Sequence, residues 1–175
     1  GKKVHKICRH FSYDIINNAT AMGWEEEEVA KLIMLVANQL DFDEKKLIRC
    51  LEVTGTGSPA TLSHLIEEAD TSRESAFSFT TAQIVSVILS NAKNVDHFII
   101  LMGEAMEFDL FNLSRSDTID VLFSFTEDSM DYRENQRYAK TICEHCKNKT
   151  LCGKVLHKFT STLEESKAAS YIYDI

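Results

Sequence analysis

A short segment in the last part of the chain carries residue types that bind metal ions. Cys143, Cys146, Cys152 and His157 stand in a Cys-x2-Cys-x5-Cys-x4-His pattern. Structural zinc sites use four thiolate or imidazole ligands in a tetrahedron, and two cysteines separated by two residues can supply a first chelating pair. These four residues are therefore candidate zinc ligands.

Positive charge surrounds these cysteines. Residues 133–158 contain seven basic residues and only two acids. Lysine and arginine bind nucleic acids by neutralising phosphates, so this segment could contact RNA, with or without zinc. The candidate RNA-binding residues are Arg133, Arg137, Lys140, Lys147, Lys149, Lys154 and Lys158.

Helical periodicity favours a different interpretation of the same cysteines. Tyr138, Ile142 and Cys146 recur at intervals of four residues and therefore share one helix face, while Cys152 and Leu156 share another. A free cysteine on such a face packs as a small apolar residue. In this interpretation the protein has no cofactor and the basic segment is a solvated helix face. The spacing of the residues leaves both interpretations open.

The chain contains none of the common catalytic motifs. It has no glycine-rich phosphate or dinucleotide loop, no Gly-x-Ser-x-Gly turn and no His-Glu-x-x-His pattern. None of the six histidines follows an acid by three residues, which excludes the Glu-x-x-His pattern of di-iron helix bundles. We therefore predict no catalytic residue and expect a protein that is not an enzyme.

The charge is unevenly distributed. The formal net charge is -8, but residues 1–9 hold four bases and no acid, whereas residues 10–132 hold 22 acids against 7 bases. An acidic surface favours a basic or amphipathic protein partner, and an anionic partner could meet only the two basic segments.

The cysteine count and the hydropathy bear on location. Five cysteines form an odd set without the spacing of a disulfide framework, which predicts reduced thiols in the cytoplasm or nucleus. No apolar signal segment opens the chain, and its longest uncharged stretch, residues 75–92, holds eight Ser, Thr, Asn or Gln residues. We therefore expect no membrane association. The start Gly1-Lys2-Lys3 suggests a fragment of a larger protein.

Helical signals recur along the whole chain, which has one proline and six glycines. Val29, Leu32, Ile33, Val36 and Leu40 have the spacing of one helix face. These features predict an all-α fold of seven to nine short helices. The start and stop signals are Glu25–Glu28 in a first turn, Ser58 before Pro59, Thr80 with Gln83, Ser114, Asp117, and Gly23 after a helix end.

The middle of the chain repeats itself with a shift of 37 residues. Asp43, Thr80 and Asp117 are all cap-type residues, and the aliphatic positions that follow them also correspond. A hairpin of two short helices cannot bury both of its apolar stripes alone, so neighbouring hairpins are expected to stack. The predicted hairpins are 5–40, 43–75, 80–112 and 117–150, with a C-terminal helix at 151–170, in one domain spanning 1–175.

This pattern resembles the broad class of helical-hairpin solenoids, which includes tetratricopeptide, pentatricopeptide and HEAT arrays. The resemblance implies stacked antiparallel hairpins; a compact irregular bundle is the alternative. It does not extend to the motif of any one family, since the Trp-x2-Leu-Gly-x2-Tyr signature of tetratricopeptide repeats is absent.

The expected function follows from this architecture. We expect a non-catalytic scaffold or adaptor module that binds a basic or amphipathic peptide or partner domain, with a second copy of the chain as a further possible partner. The candidate partner-binding residues are His64 and His97, in second helices of hairpins, and Tyr171 and Tyr173 near the end. The alternative is an RNA-associated helical domain that uses residues 133–158.

Overall fold

The structure is a computed structural model. It describes residues 2–71, 78–125, 129–161, 167 and 169–170, and the side chains of all of these except residues 2–9 and 68–71. Every regular element in these residues is a helix and none is a strand, which confirms the all-α prediction. Within this described part, no helix is both long and apolar enough to cross a bilayer.

Nine helices lie in the described residues, within the predicted range of seven to nine. They are α1 (Lys2–Ala21), α2 (Glu26–Gln39), α3 (Glu44–Thr54), α4 (Pro59–Thr71), α5 (Thr81–Asn91), α6 (Val95–Glu107), α7 (Ser116–Ser124), α8 (Tyr132–His145) and α9 (Lys149–Thr160).

Most of the predicted helix starts are confirmed by their hydrogen bonds. The backbone N–H of Thr61 donates to Ser58 Oγ at 3.2 Å, directly before α4. At the start of α5, the N–H of Gln83 donates to Thr80 Oγ1 at 3.2 Å, and the N–H of Thr80 donates to Gln83 Oε1 at 2.9 Å. This pair is a complete capping box, which satisfies two backbone donors that the helix leaves unpaired.

The predicted helix starts at Ser114 and Asp117 are wrong. Helix α7 begins at Ser116, Ser114 donates to Asn112 Oδ1 before it, and Asp117 lies in its first turn. The Asp117 carboxylate accepts two hydrogen bonds from the guanidinium of Arg115, which are the main cause of a pKa below the ordinary value. The carboxylate is therefore engaged mainly by a neighbouring side chain.

Four helices end in a residue with positive φ. Gly23 after α1 was predicted from the sequence and has φ 80°, Gly55 after α3 has φ 62°, and Asp41 after α2 and Asp109 after α6 have φ 51° and 54°. After Gly23, Asp41 and Asp109 the next residue donates a backbone hydrogen bond back into the helix, as Leu110 N–H does to the Ala105 carbonyl at 3.0 Å. This geometry reverses the chain sharply and pairs carbonyls that the helix end leaves free.

The chain forms two compact units, residues 1–91 and 92–175. In the first unit α1 packs on α2 and α3, α2 packs on α4, and α3 packs on α5. Two hydrogen bonds join residues of α3 to residues 34 positions later, Glu44 to Ser78 N–H at 3.1 Å and Glu52 to Ser86 Oγ at 2.9 Å. Helices two apart in the chain therefore lie side by side and run in the same direction, as stacking of hairpins predicts.

The second unit is built on an aromatic cluster. Each of its helices α6 to α9 contributes one ring: Phe98, Phe123, Tyr138 and Phe159. The ring centroids of Phe123 and Phe159 lie 3.9 Å apart, and Tyr138 lies within 6.4 Å of the other three rings. Tyr138 is completely buried, and its hydroxyl donates to the carbonyl of Leu122 at 3.1 Å. One side chain of α8 thus fixes the positions of α6, α7 and α9.

The helix starts preserve the predicted repeat. Helices α3, α5 and α7 begin 37 and 35 residues apart, and α4, α6 and α8 begin 36 and 37 residues apart. The pairs α3–α4 and α5–α6 lie inside the predicted hairpin ranges 43–75 and 80–112, and the pair α7–α8 begins one residue before the predicted range 117–150. The assignment of 1–175 to one domain stays a prediction.

Gly57, between α3 and α4, is required by a close approach to α5. A Cβ at this position would overlap Val87 Cγ1, and Val87 is itself completely buried. Gly153, on the exposed side of α9, has no atom within 4 Å of the place its Cβ would take. The two glycines therefore form a matched pair, one constrained by packing and one not.

We predict opposite effects of alanine at these two glycines. Gly57→Ala should lower the free energy of unfolding by about 1–3 kcal/mol, because the added methyl group overpacks the core. Gly153→Ala should raise it by about 0.5–1 kcal/mol, because alanine favours the helix. Denaturant titration followed by circular dichroism measures both. Equal stability of Gly57→Ala and the wild type would contradict the observed packing of α5.

A second prediction concerns alkaline pH. Cys50 in α3 is completely buried, and burial raises the pKa of its thiol to about 12. In the unfolded chain this thiol ionises near its ordinary pKa of 9.0, so above that pH the unfolded state binds fewer protons than the folded state. The contribution is fully present below pH 9 and is lost between about pH 9 and 12, with a slope of about 1.4 kcal/mol per pH unit.

Unfolding of the wild type and of Cys50→Ala at a series of pH values measures this contribution. The variant is less stable at neutral pH because it leaves a cavity, but its stability should fall less steeply between pH 9 and 12. Identical slopes in the two proteins would show that the thiol is not buried.

Candidate functional site

The second unit contains two adjoining cavities, of about 740 Å³ and about 410 Å³. Glu107 and Glu144 line both of them, so the two form one depression that we call the α6–α8 groove. The smaller cavity lies between α6 and α8. The larger one is bounded by the end of α6, the segment that leads to α7, and the turn between α8 and α9. Its volume is in the range of ligand and peptide sites.

Apolar side chains form the floor of the groove. Met106, Phe111 and Leu151 line the larger cavity and are 4%, 5% and 7% exposed. In the smaller cavity Ile100 is 54% exposed, which is unusual for an isoleucine on a packed helix. The apolar area open to contact is therefore mainly that of Ile100 in the smaller cavity, with the half-buried Leu113 in the larger one.

Close packing of α6 on α8 shapes the groove. A Cβ at Gly103 would lie 3.3 Å from Thr141 Cγ2, so a larger side chain would push the two helices apart. Gly103 therefore holds Glu107 of α6 and Glu144 of α8 on the two sides of one depression.

Carboxylates outnumber positive groups around the groove. Its acids are Glu104, Glu107, Asp109 and Glu144. Its bases are Arg137, Lys140 and Lys147. Arg137 is engaged by Asp96, which does not line the groove, and Lys147 Nζ lies 4.0 Å from Asp109 Oδ1.

The Lys147–Asp109 ion pair leaves Asp109 accessible. The two side chains are 91% and 83% exposed, and an exposed pair of this kind contributes little free energy because water screens it. Asp109 is therefore able to accept a cation from another molecule. A carboxylate edge above an apolar floor matches a side chain that has an apolar stem and a cationic end, as lysine and arginine have.

The turn between α8 and α9 brings part of the predicted cysteine and histidine segment into the groove. His145 donates from Nδ1 to the carbonyl of Thr141 at 2.8 Å, which leaves Nε2 as the acceptor of the neutral ring. Cys146 is half-buried, and burial raises the pKa of its thiol. This thiol therefore stays protonated at neutral pH and is not activated as a nucleophile.

The four predicted zinc ligands are only partly brought together. Cys143, Cys146 and Cys152 lie around the α8–α9 turn, with Cys143 Sγ 3.8 Å from the carbonyl of Cys152. Burial is also the main cause of the raised pKa of Cys143. His157 is exposed and lines a separate depression on α9. Among the described residues, no three His, Cys, Asp or Glu side chains are arranged to hold a metal ion.

Three of the seven candidate RNA-binding residues are engaged by acids of their own unit. Arg137 pairs with Asp96, and Lys147 and Lys158 with carboxylates at 4.0 Å and 2.7 Å. The other four are exposed and form no ion pair with a described residue: Arg133, Lys140, Lys149 and Lys154.

Two of the four candidate partner-binding residues, His64 and His97, lie outside the groove. In the first unit, His64 of α4 is half-buried, and its Nδ1 is 3.8 Å from Glu67 Oε2. In the second, His97 Nδ1 accepts from the N–H of Lys93 at 3.0 Å and so closes the start of α6. Tyr171 and Tyr173 lie outside the described residues.

Sequence reasoning missed the acidic side of the groove. Glu107 and Asp109 follow the apolar stripe of α6 and are typical of a solvated helix end. Their residue types therefore did not indicate a binding site. Asp109 carries the one feature that stands out, a positive φ in a residue other than glycine. That feature is visible only in the backbone.

Comparisons with known proteins return no relative. No protein-family model, no curated protein and no solved structure matches the chain.

We predict that the purified protein contains no stoichiometric zinc. The three cysteines around the α8–α9 turn are half-buried, His157 lies apart from them, and no three His, Cys, Asp or Glu side chains of the described residues are arranged around one point. Elemental analysis after dialysis should therefore find far less than one zinc per chain, and a chelator should leave the unfolding temperature unchanged. About one bound zinc per chain, lost together with Cys143→Ser, would contradict this and support the metal interpretation.

Proposed function

We propose that this chain is a non-catalytic protein-interaction module, a scaffold or adaptor, and that the α6–α8 groove binds a basic, amphipathic segment of a partner protein. The observation that carries the proposal is the combination of an apolar floor with a surplus of carboxylates in one groove. Such a groove suits a peptide with leucine-like residues on one side and lysine or arginine on the other.

Charge and apolar contact contribute differently to this binding. The exposed carboxylates of Glu107, Asp109 and Glu144 attract a basic partner and raise the association rate, but each contributes little affinity in water. The exposed Ile100 and the half-buried Leu113 supply the affinity, because their apolar area leaves water when a partner covers it, while the buried Met106 and Phe111 support the floor from below. We therefore expect added salt to reduce the preference for a basic over an acidic partner more strongly than it reduces the affinity for the basic partner.

The chemistry of the groove supports binding over catalysis. Cys146 and His145 are neighbours, but a cysteine nucleophile needs a lowered pKa and that of Cys146 is raised. The second candidate function, RNA association through residues 133–158, has weaker support, because Asp96 and Asp120 engage Arg137 and Lys158 in close ion pairs.

The decisive measurement compares groove variants with a matched control. Helices α2 and α6 both end in an aspartate with positive φ, so Asp41→Asn and Asp109→Asn remove the same charge from the same backbone geometry. The probes are a short amphipathic peptide of leucine with lysine and arginine, its counterpart with glutamate, and a single-stranded RNA oligonucleotide, each followed by fluorescence anisotropy.

We predict that the basic peptide binds and the acidic peptide does not. Asp109→Asn should weaken binding by about two- to fivefold, and Glu107→Gln with Glu144→Gln by about tenfold, whereas Asp41→Asn should have no effect. Equal losses in Asp41→Asn and Asp109→Asn would place the binding site elsewhere. Binding of RNA but not of the basic peptide would favour the second candidate function.

A further inference from the structure

A second, independent surface lies on α1 in the first unit. Phe11, Ile15 and Met22 are 67%, 40% and 78% exposed, and no other described surface of this unit carries three large apolar side chains on one helix line. Phe11 and Ile15 are separated by four residues, and Ile15 and Met22 by seven. Residues with this spacing lie along one side of a helix.

The spacing continues along the whole helix as a heptad repeat. Val4, Cys8, Phe11, Ile15, Asn18 and Met22 alternate at intervals of four and three residues. This alternation is the signature of a coiled-coil seam, and one asparagine within a seam is a common device that fixes its register. We call these six positions the α1 seam.

The α1 seam is distinct from the side of α1 that packs inside its own unit. Ile16 and Ala19 are 0% and 4% exposed and face the neighbouring helices α2 and α3. Helix α1 therefore has two apolar stripes, of which one is covered and the other is open to solvent at Phe11, Ile15 and Met22.

We infer that the α1 seam pairs with the α1 seam of a second copy of this chain, as an antiparallel two-helix interface. The argument for a second copy is charge. Residues 2–9 carry four positive charges and no acid, and four glutamates, Glu25–Glu28, come after the turn that follows α1. In an antiparallel pair, Lys2 and Lys3 at the start of each α1 lie at the end of the other α1, next to the segment that begins at Glu25. A parallel pair would bring like charges together at both ends, which costs free energy.

The spacing also selects one register for the pair. Seam positions of the two helices match throughout when Ile15 of each copy lies opposite Phe11 of the other. In this register Cys8 lies opposite Asn18 of the second copy, and Met22 lies opposite Val4. All six seam positions are then covered, and the interface is symmetric and closed, as in most homodimers.

The first measurement is the oligomeric state. Sedimentation equilibrium should find a dimer for the wild type, and Phe11→Ser with Met22→Ser should weaken dimerisation by at least roughly tenfold, because the seam loses its two most exposed apolar side chains. The matched control is Leu35→Ser with Leu89→Ser, two other exposed leucines of the first unit, which should leave the dimer unchanged. Circular dichroism checks that all variants keep their helices.

The second measurement tests orientation. Under mild oxidation with glutathione disulfide, Asn18→Cys should form a covalent dimer in which the new thiol is joined to Cys8 of the other copy. The two thiols lose their hydrogens and two molecules of glutathione are released. Peptide mapping identifies the linked residues. Replacement of Glu25–Glu28 by glutamine should weaken the wild-type dimer, and so should added salt.

Three outcomes would overturn the inference. They are a monomer at all concentrations, a dimer lost in the Leu35 and Leu89 control but kept in the seam variant, and a wild-type disulfide between the two copies of Cys8, which requires parallel helices. A monomer would leave the seam to another occupant, such as a different partner helix. None of these results depends on peptide binding in the α6–α8 groove, so this inference and the proposed function stand or fall separately.

Discussion

Burial shared between helices two apart in the chain is the constraint on which both units depend. In the first unit α3 packs against both α1 and α5, and its side chains Leu47, Cys50 and Leu51 are completely buried. A single short hairpin would leave one of these stripes in water, at a cost of about 25 cal/mol for each Å² of apolar area. The stripe on α3 is stable only because two further helices cover it.

The same constraint determines where binding surfaces can form. Side chains in the shared interfaces are buried against neighbouring helices and cannot contact a partner. A binding site must therefore lie at helix ends, in the connections between helices, or on a helix with one uncovered side. The α6–α8 groove is of the first kind. Gly103 lets two helices approach closely, and the positive φ of Asp109 turns the chain so that Phe111 forms part of the floor. The α1 seam is of the last kind.

The sequence predicts the parts of this fold that are encoded locally. The cap at Ser58, the capping box at Thr80 and the helix stop at Gly23 each depend on residues within a few positions of each other, and all three are confirmed. The repeat follows because equivalent helices start at nearly constant intervals. Asp117 was misassigned because Arg115, two residues away, competes for its carboxylate, and spacing alone does not rank such competitors.

The groove could not be predicted, because its two sides come from segments about 40 residues apart that only packing brings together. Periodicity identified α6 and α8 as helices but gave no information on which polar residues would meet between them. For the cysteine segment, the sequence pattern suggested a site that packing explains differently. Its spacing suggested ligands, whereas the burial of Cys143 and Cys146 gives these thiols the character of apolar packing residues.

In the folded second unit, acidic and basic parts of the sequence form ion pairs with each other instead of two separate surfaces. Residues 10–132 are acidic and residues 133–158 are basic, which suggested two surfaces for two kinds of partner. Within the second unit, three ion pairs link acids before residue 132 to bases of residues 133–158: Asp96 with Arg137, Asp109 with Lys147, and Asp120 with Lys158.

Each of these pairs joins an acid from the α6–α7 part of the chain to a base of the α8–α9 part. These ion pairs therefore neutralise much of the positive charge of the α8–α9 part. Around the groove, however, carboxylates outnumber positive groups. There α8 contributes an acid, Glu144, from within the basic segment, and α6 contributes Glu104 and Glu107. The sign of a surface is thus set by which helices pack together and not by the average charge of a segment. For this reason carboxylates outnumber positive groups around the groove even though part of its wall belongs to the most basic part of the chain.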